Sequence, residues 1–280
     1  MKPKISIITP SYNQGQFLES TIKSVLDQNY PNLELIIIDG GSTDNSVEII
    51  KKYQKHLTFW VSEKDRGQTH AINKGFKRAT GDFVNWLNSD DMLPPGALDA
   101  LSDGIDQYPD GDVFFGDYSA VDAKGQLLYS RKSAPFTEQS LFWGRQLSSQ
   151  PAVFFRRSLL EKFGYLNEKQ EFCMDTEFWI RVAQKGVSFR QIKHPLGITR
   201  AHGDAKTTNM QNVLHDEHKQ IVRHYKGLKL FEKQSRAEDL SFTCMNRFWR
   251  LAAAFNRMIF RRDFTFMNAS KALKTIAGEN

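Results

Sequence analysis

Four short apolar strands alternate with helical segments over the first 91 residues, and this alternation constrains the fold more than any other feature of the chain. The strand segments are residues 5–9, 33–38, 57–61 and 83–87. A helical spacing of apolar residues follows each of the first three strands. Strands that alternate with helices in this way predict a parallel sheet with right-handed crossovers. We therefore predict an α/β fold with a mostly parallel central sheet flanked by helices.

The alternation weakens after residue 109, which indicates a change of role along the chain. Residues 113–115 and 127–129 flank a turn at Lys124-Gly125 and predict a hairpin or an addition to the sheet. Further strand and helix patterns cover residues 136–143, 152–155, 159–163 and 175–185, and the pattern is helical from residue 212 onward. We predict one domain in two halves, residues 1–110 and 111–205, followed by a helical extension over residues 206–280.

The net charge of +6 is concentrated in the predicted extension. Residues 206–280 hold 14 Lys and Arg against 7 Asp and Glu, whereas residues 1–205 hold 24 against 25. Five Arg and no acid lie within residues 244–262, interleaved with apolar side chains, as in an interfacial amphipathic helix. Each basic residue near an anionic leaflet contributes about 1 kcal/mol. The alternative is a helix packed on the preceding α/β part of the chain or on the second copy of a homodimer.

Several classes of protein are disfavoured by what the chain lacks. No run of 18 apolar residues occurs and the chain enters a strand pattern directly, so we expect neither a membrane span nor a secretion signal. Cys173 and Cys244 are its only cysteines, which fits a reducing compartment and disfavours a zinc site built from thiolates. We expect a cytoplasmic protein that contacts the inner face of the cell membrane peripherally through residues 244–262. No stacking platform or binding motif for nucleic acid accompanies the basic charge, so we expect no nucleic-acid partner.

Acidic residues follow three consecutive strands of the predicted sheet. Asp39 follows the second, Glu63 and Asp65 the third, and Asp90 and Asp91 the fourth. Parallel strands place these residues at one rim, where ligands bind in open α/β sheets. Adjacent carboxylates such as Asp90 and Asp91 repel each other unless a cation or a hydrogen-bonded ribose neutralises them. The alternative is that each acid, taken by itself, is a turn residue or a helix cap. The chain has no GxGxxG after the first strand and no GxxxxGK[ST], which disfavours dinucleotide redox and P-loop chemistry.

Seven segments occur in an order that is typical of one enzyme family. They are SIITPSYN (6–13), QNYPNLE (28–34), IDGGSTD (38–44), NSDD (88–91), QP (150–151), MDTEFWIR (174–181) and HG (202–203). With them the chain resembles the family 2 inverting glycosyltransferases of the GT-A fold over about residues 4–205. The resemblance implies a UDP or dTDP sugar donor, a divalent metal such as Mn or Mg, and a glycan or lipid-linked acceptor from bacterial cell-surface glycan synthesis. Residues 1–110 would then bind the nucleotide sugar, and residues 111–205 would bind the acceptor and supply the base.

The resemblance assigns the donor pocket to residues of the first three strand ends. Thr9, Pro10 and Tyr12 would line the nucleotide pocket, and Asp39 and Asp65 would hydrogen-bond the base. A carboxylate suits this role because it accepts a hydrogen bond from the imide N–H of uracil or thymine. Three residues beside Asp65 are weaker candidates for donor contact: Arg66, Gln68 and His70.

The same resemblance places a metal at the end of the fourth strand. Asp90 matches the metal-binding carboxylate of the D-x-D signature, with Ser89 before it and Asn88 where the signature usually has its first Asp. The amide of Asn88 can hydrogen-bond ribose but removes a negative charge near the metal. Asp91 either compensates for that charge or caps the helix behind it. His202 matches the late histidine that completes the metal or diphosphate site in GT-A enzymes.

Asp175 matches the general base of the family, which takes the proton of the acceptor hydroxyl. Glu177 lies two residues away, and such positions do not share a helix face, so only one of the two carboxylates can face the cleft. Arg181 and Arg200 either support the acidic site or form surface ion pairs. An inactive nucleotide-sugar-binding protein remains the alternative, motivated by Asn88. A nucleotidyltransferase is disfavoured because residues 9–13 lack a Gly-rich phosphate loop.

Overall fold

The computed structural model describes residues 2–136, 140–141, 148–203 and 211–226 of the 280-residue chain. The strands in these ranges are β1 (Ile5–Ser11), β2 (Leu33–Asp39), β3 (Phe59–Ser62), β4 (Phe83–Trp86), β5 (Val113–Val121), β6 (Leu127–Arg131), β7 (Val153–Arg156) and β8 (Phe189–Arg200). The α-helices are α1 (Gly15–Leu26), α2 (Ser46–Tyr53), α3 (Gln68–Arg78), α4 (Ala97–Gln107), α5 (Ser158–Phe163), α6 (Met174–Ala183) and α7 (Gln211–Lys226). A 3₁₀ turn at Gln150–Ala152 precedes β7.

The strands form one sheet in the order β3-β2-β1-β4-β7-β5-β6, and β8 pairs with β5. Strands β3, β2, β1 and β4 are parallel, as the alternation of strands and helices predicts. Strand β7 is antiparallel to both β4 and β5, and β8 is parallel to β5. Strands β5 and β6 form the predicted antiparallel hairpin. The central sheet is therefore parallel in its first half and mixed in its second half.

Strands β1, β2 and β4 of the parallel half are almost entirely buried, whereas β3 is partly exposed. Ile7, Leu35 and Ile37 belong to one core cluster, together with apolar residues of α1 and α4. Ile8, Ile36 and Ile38 belong to a second cluster, which includes residues of α3 and α6. A strand that is covered on both faces needs apolar residues at successive positions. This explains why β1 and β2 read as nearly continuous apolar runs.

Helix α7 lies within the predicted extension of residues 206–280 and contacts α6 through side-chain hydrogen bonds. The basic segment of residues 244–262 and most of the helix predicted over residues 136–143 lie outside the described residues. Among the helices that are described, none is long and apolar enough to cross a membrane.

Candidate active site

The motif residues of the first half meet at one edge of the sheet. Strand β1 lies between β2 and β4 and runs parallel to both, so the carboxyl ends of the three strands point the same way. Thr9 and Pro10 are buried within β1, whereas Tyr12 follows it and is 61% exposed. Asp39 is the last residue of β2. The ring of Tyr12 is therefore the accessible surface among the three predicted pocket residues of β1.

Asp39 organises the loop that follows β2. Its side chain is fully buried and accepts hydrogen bonds from the amides of Gly41 (3.1 Å) and Ser42 (2.9 Å). The hydroxyls of Ser42 (2.5 Å) and Ser62 (2.6 Å) donate to the same carboxylate. The bond from Ser62 joins the ends of β2 and β3, and the other three hold the loop that follows β2. The predicted hydrogen bond from Asp39 to the nucleotide base remains a prediction.

Tyr12 and Asp65 come together around the backbone of Gly40. A methyl group placed on Gly40 would lie 2.7 Å from Asp65 Oδ2 and 3.3 Å from Tyr12 Cδ2. The Asp65 carboxylate is held by the amide of Gly67, which donates to Oδ1 at 2.8 Å. Tyr12 and Asp65, which are both predicted to contact the nucleotide, thus flank one glycine although they follow different strands. Gly40 gives them room because it has no side chain.

The NSDD segment forms a hydrogen-bonded loop in which Asn88 and Asp91 bind each other. Asn88 Nδ2 donates to Asp91 Oδ2 at 3.1 Å, and Gln68 Nε2 donates to Asn88 Oδ1 at 2.7 Å. The Thr21 hydroxyl lies 2.8 Å from the Ser89 carbonyl oxygen and thereby ties the loop to α1. Burial and the neighbouring Asp90 raise the pKa of Asp91 well above its usual range. Asp91 binds groups within the loop and on β8 rather than capping α4, whose N-cap is Gly96.

Asp90 and His202 are in direct contact although 112 positions separate them in the chain. His202 Nε2 and Asp90 Oδ2 are 2.9 Å apart, and the His202 side chain is 4% exposed. The histidine ring lies against Phe17 of α1, with 4.6 Å between the ring centroids. Strand β8 delivers His202 to this point, because the backbone bonds between Met92 and Ile198 join β8 to the segment after Asp91.

The donor atoms of this pair fit a divalent cation that also binds a diphosphate. One carboxylate oxygen and one imidazole nitrogen lie within hydrogen-bonding distance of each other. The described residues contain no group of three or more His, Cys, Asp and Glu side chains that could hold a metal by themselves. Mg²⁺ is commonly bound by one or two carboxylates, with substrate phosphates and water supplying the other ligands. Asp90 and His202 supply two ligand atoms of kinds that divalent metals accept, and a metal held there would need further ligands such as phosphates and water.

Arg200 and Arg181 have different surroundings. Arg200 is 8% exposed, its amide donates to Asp91 Oδ1 (3.2 Å), and its Nε donates to the Asp90 carbonyl oxygen (3.0 Å). It therefore stabilises the acidic loop directly. Arg181 instead pairs with Glu177 at 3.0 Å and donates to the backbone carbonyl of Tyr165 at 2.8 Å. Its contacts hold α6 against the segment that precedes it.

Asp175 is the second residue of α6 and is buried, with 8% exposure. Its Oδ1 accepts a hydrogen bond from the Thr176 amide at 2.6 Å. Burial raises the pKa of Asp175 above its ordinary value. Glu177 binds Arg181 and the Tyr225 hydroxyl, so this second acid has a structural role. The two carboxylates thus have separate environments, as their spacing on the helix predicts.

Helix α3 connects the acidic loop to the start of α6. Gln68 binds Asn88, and the neighbouring Thr69 hydroxyl contacts the Gln170 carbonyl (3.2 Å) and Met174 Sδ (2.7 Å). The ring of Trp86 in β4 stacks on Trp179 of α6 at 6.1 Å. Of these residues, sequence reasoning singled out Gln68 and Asn88 as site candidates. The first turn of α3 therefore joins the two segments that carry Asp90 and Asp175.

A family assignment follows from comparison with known sequences. The sequence model described as "Glycosyl transferase family 2" matches residues 6–164, which is more than half of the chain. The chain belongs to glycosyltransferase family 2. The matched range contains the β1, β2 and β4 motifs, and Asp175 and His202 follow it. The resemblance inferred from the seven motifs is thereby confirmed.

Curated proteins similar to this chain include bacterial and archaeal glycosyltransferases. The chain is 28% identical over 214 residues to "Uncharacterized glycosyltransferase RT0329" of Rickettsia typhi, covering 74% of this chain and 66% of that protein. It is 43% identical over 103 residues to "Putative teichuronic acid biosynthesis glycosyltransferase TuaG" of Bacillus subtilis, covering 35% of this chain and 40% of that protein. The matches thus span two thirds or less of these relatives' lengths.

Solved structures share the architecture. S. aureus TarS 1–349 in complex with UDP-GlcNAc aligns with a TM-score of 0.65 and 20% identity over 84% of this chain and 69% of that chain. The mannosyltransferase PcManGT from Pyrobaculum calidifontis, in complex with GDP-Man and Mn²⁺, aligns with a TM-score of 0.56 and 18% identity over 99% of this chain and 80% of that chain. The chain therefore has the GT-A fold of these glycosyltransferases.

Proposed function

We propose that this chain transfers a sugar from a UDP or dTDP donor to a glycan or lipid-linked acceptor, with inversion at the anomeric carbon. The contact between Asp90 and His202 carries the proposal, because it sets a carboxylate and an imidazole together at the ligand-binding edge of the sheet. Membership of family 2 supports glycosyl transfer. The nucleotide sugars bound in the TarS and PcManGT structures support a donor of that class.

Tyr12, Gly40 and Asp65 are proposed to receive the nucleotide. The exposed ring of Tyr12 offers an apolar face to a base, and the Asp65 carboxylate beside it can accept the imide N–H of uracil or thymine. Asp39 fixes the loop after β2, since its carboxylate binds the amides of Gly41 and Ser42. We assign base recognition to the two acids together, with Asp65 in the more open position.

Asp90 and His202 are proposed to hold Mn²⁺ or Mg²⁺ with the donor diphosphate. When bound, such a cation neutralises the negative charge that develops on the departing diphosphate. Asn88 supplies no charge, and its amide is engaged with Gln68 and Asp91. We therefore assign Asn88 and Ser89 to shaping the loop and contacting the donor ribose, and Asp90 to the metal.

Asp175 is proposed to act as the general base. Its carboxylate takes the proton of the acceptor hydroxyl while that oxygen forms a bond to the anomeric carbon. The bond from the anomeric carbon to the diphosphate oxygen breaks on the opposite face, and the electron pair leaves with the nucleotide diphosphate. Configuration at the anomeric carbon is inverted because attack and departure occur on opposite faces. The proton ends on Asp175, and solvent removes it after product release.

As the pH is lowered, we expect the turnover number kcat to begin to fall at a pH above the usual pKa range of aspartate. Burial raises the pKa of Asp175, and the base works only when ionised, so kcat should rise with pH through this raised pKa. The measurement is nucleotide release from saturating donor between about pH 4 and pH 9, an interval that brackets the ordinary aspartate value. A kcat that stays constant down to the ordinary aspartate pKa would contradict the role of Asp175.

The proposal is tested by a screen of UDP, dTDP and GDP sugars with and without Mn²⁺ or Mg²⁺. Thermal shift reports binding, because a ligand that binds only the folded state stabilises it by mass action. Release of the nucleotide diphosphate reports chemistry, with water as the acceptor. A metal-dependent shift accompanied by release supports the transferase. A shift without release from any donor would favour the inactive nucleotide-sugar-binding protein that Asn88 suggests.

We propose that the acceptor is met at a membrane surface. A lipid-linked glycan precursor lies in the bilayer interface, and the five Arg of residues 244–262 suit contact with an anionic leaflet. This segment lies outside the described residues. Its composition alone supports the proposal.

A further inference from the structure

Glu217 of α7 binds the backbone that leads into α6. Its Oε1 accepts the amide of Glu171 (2.8 Å), and its Oε2 accepts the amides of Phe172 and Cys173 (2.9 Å each). Helix α6 begins at the next residue, Met174, and Asp175 is its second residue. One carboxylate from a distant part of the chain thus binds three consecutive amides immediately before the proposed base.

Helix α6 has no side-chain cap of its own. Cys173 occupies the N-cap position and makes no side-chain cap hydrogen bond. The first amides of a helix lack partners within the helix, and carboxylates are the side chains that bind them well. Asp175 lies in this first turn and already accepts the Thr176 amide. Without Glu217, the amides of residues 171–173 would lose the carboxylate that binds them, and the backbone that leads into Asp175 would be held less firmly.

The same segment is held from its other side by α3. Asn73 exchanges two hydrogen bonds with the backbone of Leu166 (2.9 and 3.1 Å), and Arg66 pairs with Glu168 at 2.7 Å. Glu217 completes the attachment at the end nearest Asp175. Residues 166–173 are therefore fixed between the helix that contacts the acidic loop and the helix that carries Glu217.

We infer that Glu217 is a positioning residue for Asp175. It fixes the amides of residues 171–173 and thereby the start of α6, so that the backbone that carries the Asp175 carboxylate keeps its position. The inference rests on the proposed function, since it needs Asp175 to act as the base. The geometric tolerance of catalysis is small: a displacement of about 1 Å can reduce the rate about 10²-fold.

The first test compares Glu217→Ala with two control variants of α7. Tyr225→Phe removes a different contact of α7, the hydrogen bond to Glu177 of α6, and Asp216→Ala removes an exposed carboxylate from the adjacent position. The probes are UDP, dTDP and GDP sugars, and the readout is release of the nucleotide diphosphate. The number of folded active sites in each sample is measured by binding of the nucleotide diphosphate, so that kcat is expressed per binding site. For Glu217→Ala, kcat per binding site should fall at least about tenfold, with the donor KM changed less than about twofold. Both controls should keep the wild-type kcat per site.

The second test is a double-mutant cycle with Asp175→Asn. If Glu217 acts only through Asp175, then Glu217→Ala should lower kcat by less than about twofold in the Asp175→Asn background. Glu217→Gln, which keeps one acceptor oxygen, should show a smaller loss of kcat and serves if the alanine variant does not fold. Equal losses in both backgrounds, or an equal loss in Tyr225→Phe, would overturn the inference and leave Glu217 a structural role. Full turnover in Asp175→Asn would instead contradict the proposed base itself.

Discussion

Asp175→Asn is expected to fold and bind the donor but to lose turnover by about 10²- to 10⁴-fold, the usual contribution of a general base. Asparagine keeps the side-chain oxygen that accepts the Thr176 amide, so the start of α6 should be unchanged. Folding raises the pKa of Asp175, which means that the buried ionised form lowers stability as the pH rises through that pKa. The variant should therefore melt at or above the wild-type temperature near pH 7.

Glu177→Gln is the matched control for this prediction. It also replaces a buried carboxylate in the first turns of α6, but that carboxylate pairs with Arg181 and the Tyr225 hydroxyl. Breaking a buried pair on one side is strongly destabilising, by about 3–5 kcal/mol. We expect a lower melting temperature and an unchanged kcat per folded molecule. The reverse pattern, with turnover lost in Glu177→Gln and kept in Asp175→Asn, would move the base to Glu177.

Asp90→Ala is expected to abolish the metal-dependent part of donor binding. At a donor concentration of about 100 times Kd, binding stabilises the folded protein by about 2.7 kcal/mol. For a domain of this size that corresponds to a rise of about 5–10 °C in the melting temperature. The wild type should show this shift with Mn²⁺ or Mg²⁺, and Asp90→Ala should show no added shift from the metal. Asp103→Asn, which changes an exposed acid of α4, should behave as the wild type does.

A cycle with His202→Ala shows whether Asp90 and His202 act on the metal as a unit. Their side chains touch, so the two losses should not add, and the double variant should bind the donor about as weakly as either single variant. Donor binding that depends on the metal in Asp90→Ala would place the cation on other residues. Additive losses would mean that the two side chains contribute independently and do not bind the metal as a unit.

The parallel half of the fold could be predicted because its local signals agree. Strands β1 and β2 are apolar at successive positions since both faces are covered, and the helices between the strands impose a parallel order. Asp39 and Asp90 could be placed at one rim for the same reason, because every parallel strand ends at that edge. The meeting of Tyr12 and Asp65 around Gly40 depends instead on the loop conformations, which local patterns do not specify.

The second half of the site depends on contacts between distant segments, and no sequence period encodes them. Glu217 binds amides 44 to 46 positions away and gives no signal beyond its place in an acidic pair. Arg181 and Arg200 look alike in sequence, yet one binds Glu177 and the other binds the acidic loop. From the sequence, each arginine could either support the acidic site or form an ion pair elsewhere, and only the tertiary packing distinguishes the two roles.

The stereochemistry of donor hydrolysis tests the account most directly. The donor selected by the screen is incubated with the enzyme and metal, and proton NMR identifies the first anomer of the free sugar before it mutarotates. Direct displacement assisted by Asp175 predicts the anomer opposite to that of the donor, and no comparable release from Asp175→Asn. First appearance of the donor's own anomer, or equal release from the variant, would contradict inverting transfer with Asp175 as the base.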